Sequence, residues 1–156
     1  MNITELITKL DAADARDKER VIKTNINYKK YIPYFEKYSI CNMCVDKFAE
    51  QSVSSFVVDQ AAMFPMFVMS ALSAHSDLDL NDAERWMADF DAMSEHGVLD
   101  IVMAPFAKDF SDMQAMLQLC IARKEKMSNR AVMDAEALMK LIDTVMEAMK
   151  IGGQNA

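Results

Sequence analysis

Cys41-Asn42-Met43-Cys44 carries two thiols at the spacing of a dithiol redox pair or of half a tetrahedral zinc site. A structural zinc needs four ligands, and besides this pair the chain offers Cys120, His75 and His96 with no second paired motif. Redox work of the thioredoxin kind needs a βαβ setting that the sequence does not suggest. On a helix, Cys41 and Cys44 share a face with Tyr34, Tyr38 and Phe48, where cysteine packs as a small apolar residue. Packing is the simpler reading, with metal binding and redox chemistry as the alternatives. Three cysteines are an odd count, and no secretory start precedes them, which predicts reduced thiols and a cytoplasmic protein.

Asp77-Leu78-Asp79-Leu80-Asn81 opens like a calcium loop. Its sixth position is Asp82 rather than glycine and its twelfth is Ala88 rather than a bidentate glutamate, so a solvated turn fits better. His75 and His96 each fall near an expected helix end, where an imidazolium meets the last carbonyls favourably. The carboxylates Glu84, Asp89, Asp91 and Glu95 could pair for acid and base work, but on one acidic helix they read more simply as a water-facing surface. No phosphate-binding glycine loop, nucleophile elbow or His-Glu-x-x-His motif occurs. The expectation is therefore a non-enzyme with no catalytic residue, cofactor or metal.

The elements that position these residues are helices. Only three glycines and three prolines punctuate 156 residues, far fewer than a β-rich or Rossmann-type fold requires. Ile3, Leu6, Ile7 and Leu10 form a helical stripe behind the cap Asn2. Ile22, Thr24, Ile26 and Tyr28 alternate with polar residues, the period of a strand, and with no partner strand in view they predict an extended arm that docks on a neighbouring subunit. Pro33 starts a helix reaching about Glu50, and Gln51 to Ser55 break it. Phe56 to Ser73 reads as the central helix, with Pro65 predicting a kink or a division near Phe64. Asn81 and Glu84 cap a helix that stops at Gly97, and a short helix from Val98 ends at Pro105. From Ser111 to Lys150 no glycine or proline intervenes, which fits one long helix or two broken near Ser128 and Asn129. The expected fold is all-α (mainly α), a helical bundle with an N-terminal extended arm and a long C-terminal helix or helical hairpin. Residues 1–32 form the first helix and arm, and residues 33–156 the bundle domain.

The net charge of −7 is unevenly spread: residues 1–37 carry +2, residues 38–119 carry −10 and residues 120–156 carry +1. An acidic chain with a pI near 4.8 is a poor ligand for phosphate backbones, so no nucleic acid is expected. Lys29, Lys30, Arg123, Lys124, Lys126 and Arg130 then read as solvated faces. No stretch is long and apolar enough to suggest a membrane span. Fifteen methionines supply adaptable apolar surface, with Met63, Met66 and Met69 at one spacing and Met139, Ile142, Met146 and Met149 along the last helix. Such stripes fill cores or make pliable contacts with another protein. Ile22, Ile26, Tyr28 and Tyr31 on the arm, with Met139, Ile142, Met146 and Met149 on the last helix, are the predicted protein interface.

The stretches Tyr28-Lys29-Lys30-Tyr31-Ile32-Pro33-Tyr34-Phe35-Glu36-Lys37, Leu72-Ser73-Ala74-His75-Ser76-Asp77-Leu78 and Phe90 to Asp100 resemble small helical proteins encoded in the morphogenesis regions of tailed bacteriophages. The resemblance covers roughly residues 20 to 125. It implies an extended N-terminal piece ahead of a helical body, and a non-catalytic virion structural or assembly protein found in the host bacterial cytoplasm or in the virion. Its partners would be other copies of itself, as a homo-oligomer, or other phage structural proteins. The alternative is a small acidic inhibitor or regulator that binds a host protein through residues 77 to 100.

Overall fold

Residues 1–51 and 56–152 are described by a computed structural model, with side chains 51, 132 and those from 144 onward outside the description. The chain is mainly helical, as expected. Helix α1 (Ile3–Asp11) begins with a reciprocal cap: Glu5 N donates to Asn2 Oδ1 at 2.8 Å and Asn2 N donates to the Glu5 carboxylate at 3.3 Å. Its stripe of Ile3, Leu6, Ile7 and Leu10 is buried.

The expected arm over residues 20 to 32 is not an arm. Lys18–Asn25 form a second helix, α2, because Ile22 and Ile26 lie four apart, a spacing that suits a helix face as well as a strand face. Both side chains are buried in this chain's own core, so neither is free to dock elsewhere. The extended piece that follows finds its backbone partner within the chain. Lys29 N donates to His75 O at 2.8 Å and Asp77 N to Asn27 O at 3.2 Å, bridging Tyr28 with Ser76. Asn27 reinforces the tie by donating through its backbone N and its Nδ2 to the Asp77 carboxylate, at 2.9 and 2.6 Å.

Helix α3 (Tyr34–Phe48) starts directly after Pro33. A hairpin that the sequence did not suggest follows, with β1 (Ala49–Gln51) antiparallel to β2 (Phe56–Val58) and Ala49 opposite Val58. Phe56 thus belongs to a strand rather than to the central helix. That helix is α4 (Gln60–His75), capped by Asp59, whose side chain accepts from Ala62 N at 3.0 Å. It is not divided at Pro65, which sits in the second turn, where a proline removes a single backbone donor. Residues 65–72 are buried all round.

A 3₁₀ turn over Ala83–Arg85 leads into α5 (Trp86–Glu95), and its cap is Asp82 rather than Asn81, whose side chain turns back to Asp79 at 2.8 Å. Gly97, at φ +62°, supplies the left-handed stop. Helix α6 (Leu99–Met103) passes through a turn containing Pro105 into α7 (Ala107–Gly152), one uninterrupted helix of 46 residues. It starts four residues before Ser111 because Pro105, lacking a donor, fits the turn that opens it.

Helices α3 and α7 run in the same direction. Lys37 meets Asp109, Cys41 meets Met113 and Asp46 meets Lys124, in the same order along both. With α4 they enclose one core, to which α1 and α2 add Ile3, Leu6, Leu10, Ile22 and Ile26. Placing a carboxylate in that core is costly. Ile26→Asp should therefore lower the unfolding free energy by about 3 kcal/mol or more. Urea denaturation followed by circular dichroism tests this, and an unchanged midpoint would remove Ile26 from the core.

Candidate functional site

The stripe that packs α7 onto the body runs Phe106, Asp109, Met113, Leu117 and Cys120. The facing stripe of α3 runs Lys37, Cys41, Cys44 with Val45, and then Phe48. Each contains one ionic residue, and the two meet. Lys37 Nζ forms a hydrogen-bonded ion pair with Asp109 Oδ1, both side chains being 5% exposed. The other carboxylate oxygen accepts from Ile32 N at 3.2 Å and lies 2.9 Å from Nε2 of the wholly buried His75. His75 Nδ1 lies 2.8 Å from Ala71 O, one helical turn back. Both ring nitrogens thus face acceptors, and both contacts are donor contacts only for the doubly protonated ring.

One carboxylate therefore ties the segment before α3, the first turn of α3, the end of α4 and the first turn of α7. Burial pushes against ionisation of Asp109, yet hydrogen bonds from Lys37, His75 and Ile32 N outweigh it and hold its pKa below the usual carboxylate value. Aromatic rings close the surroundings. Phe106 stacks on His75 with centroids 4.2 Å apart and planes at 9°, Tyr28 lies 5.9 Å from Phe106, and Lys37 Nζ sits 4.4 Å over the Tyr31 ring. With every carboxylate contact taken by the chain itself, the cluster acts as a clamp on helix ends.

The thiols sit in similar enclosure. Cys41 Sγ donates to Met113 O at 3.4 Å, and its pKa is pushed up to about 12 by burial and then by the neighbouring Cys120 and Cys44. Burial also raises Cys44 and Cys120. Burial disfavours the thiolate, the form that attacks and binds metals, and all three thiols are enclosed in the core. His96 lies at the end of α5, as expected, with Nδ1 2.7 Å from the Asp11 carboxylate at the end of α1.

The predicted interface residues separate into groups. Ile22 and Ile26 are core. Tyr28 is half-buried against Phe106, and burial, aided by Asp77, raises its hydroxyl well above the usual tyrosine range. Tyr31 is exposed, beside the exposed Tyr34 and Phe35. Met139 and Ile142 are exposed on α7, and the side chains of Met146 and Met149 lie outside the described residues. Lys37 and Asp109 were missed, although each occupies an apolar stripe position, which is the signal that could have found them.

No family model, curated protein or solved structure matches the chain.

Removing one partner of a buried pair leaves the other charge unmatched, so Asp109→Ala should destabilise the fold by about 3–5 kcal/mol. The depressed carboxylate also fixes a sign with pH. Its contribution is complete above the unfolded value near 3.9 and is lost as pH falls below about 4 through the lower folded value. Acid titration of the two proteins should show wild-type stability falling below about pH 4, with that component absent in Asp109→Asn.

Proposed function

We propose that this chain is a non-catalytic structural or assembly protein that works through protein–protein contacts, the role implied by its resemblance to phage morphogenesis proteins. The observation that carries the reading is the reach of α7. At 1.5 Å per residue its 46 residues span about 69 Å, more than twice the width of a small domain. Among the described residues Ser128 is the last buried one on it, and every described side chain from Asn129 to Asp143 is exposed. That free length shows Met133, Leu138, Met139, Leu141 and Ile142 to water, with Met127 just before it.

A helix without tertiary packing is marginal in water, and each large apolar side chain gains about 1.5–3 kcal/mol on burial. Contact with another protein supplies both the packing and the burial. The exposed carboxylates from Asp77 to Asp100 favour the second reading, an acidic inhibitor of a host protein. Salt separates the two, because an acidic contact weakens as ionic strength rises and an apolar one does not.

Light scattering across a concentration series, at low and high salt, should give a defined oligomer whose mass resists salt. Leu138→Asp combined with Ile142→Asp should return it to monomer while circular dichroism retains the helical body. A wild-type monomer under every condition would overturn the assembly reading in favour of a one-partner binder.

A further inference from the structure

The exposed part of α7 prolongs the face that packs the body. In steps of three and four residues the buried Met113, Leu117 and Cys120 are followed, on the same side, by Lys124 and the buried Ser128 and then by Ala131, Ala135, Leu138 and Ile142. The seam changes character along its length: alanines come first, and branched residues follow. Charge is ordered in the same way. Residues 123–130 hold Arg123, Lys124, Lys126 and Arg130 against the single Glu125, whereas residues 134–147 hold Asp134, Glu136, Asp143 and Glu147 against the single Lys140.

Resting on the assembly reading above, we propose that the occupant of this face is the same face of a second copy, running antiparallel. In a parallel pair in register, alanine would meet alanine, leaving gaps, and each charge block would face its like. Reversing one helix sets Ala131 level with Ile142 and Ala135 level with Leu138, so every layer joins a small residue to a large one. The same reversal sets Arg130 level with Asp143 and Lys126 level with Glu147. A two-fold arrangement of this kind closes on itself and brings residues 145–152 of each copy to the height of residues 121–128 of the other, beside its body. Lys124 is already paired with Asp46 and Arg123 already donates to Tyr38 at 3.0 Å, so the body-side end of the basic block is fixed in place.

Cysteine cross-linking in the full chain tests both partner and direction. Chains bearing Ala131→Cys are mixed with chains bearing Ile142→Cys under mild oxidation, and the native thiols are buried. Disulfide-linked dimers should form in the mixture and not in either variant alone, and light scattering on each variant checks that association survives. Cross-linking within each variant alone would show parallel pairing and overturn the antiparallel arrangement while leaving assembly through α7 intact. No cross-link in either the variants or the mixture, with an oligomeric mass, would place the contact elsewhere and overturn the proposal. A monomeric mass for wild type would overturn this proposal and the assembly reading together. As a second measurement, Ala135→Leu and Leu138→Ala should each weaken self-association tenfold or more, and together should recover most of it.

Discussion

The Asp109 carboxylate is the point on which the body's architecture turns. Two long helices packed side by side can slide or roll past one another at small cost when their contacts are apolar, because apolar contact has no direction. Hydrogen bonds do have direction. Asp109 receives Lys37 and Ile32 N from the segment opening α3 and contacts His75 at the end of α4, which fixes the height and rotation of α7 against both. The Tyr28 to Ser76 bridge then holds the N-terminal segment over the same junction. Such a network adds little net stability over a well-packed apolar one, and what it contributes here is register.

Much of this was legible in the sequence, and the errors have physical causes. The Asn2 cap, the Gly97 stop and the long helix follow from local rules of backbone donors and left-handed turns. The arm was misread because Ile22 and Ile26 satisfy two periods at once, and the choice between them rests on what the side chains meet. The hairpin at residues 49–51 and 56–58 has strands of three residues, too short to show a period. The clamp could not be read from type and spacing in one segment, since Lys37 and Asp109 lie 72 residues apart. A charged residue on an otherwise apolar stripe was its only trace. Of the residues expected to contact another protein, Ile22 and Ile26 are buried in the body, whereas Met139 and Ile142 are exposed on α7.

Burial and direction together divide α7 into two regimes. Over its first turn the helix is held by polar contacts with fixed geometry, and over the next three by the close packing of Met113, Leu117 and Cys120. Past Ser128 the described side chains as far as Asp143 are all exposed. The body is thus specified from within, while the distal helix carries its apolar side chains outside that packing.

That division also sorts the methionines by their chemistry with oxidants. Met63, Met69, Met93 and Met113 are enclosed, whereas Met133 and Met139, with Met127 just before them, stand in solvent along distal α7, and Met43 and Met87 are the less exposed pair on the body. Peroxide would convert the exposed thioethers first, turning soft apolar side chains into polar sulfoxides on that helix while the enclosed ones stay reduced. Because sulfoxide reductases reverse this change, the exposed face of distal α7 can be made polar and restored while the enclosed core is untouched.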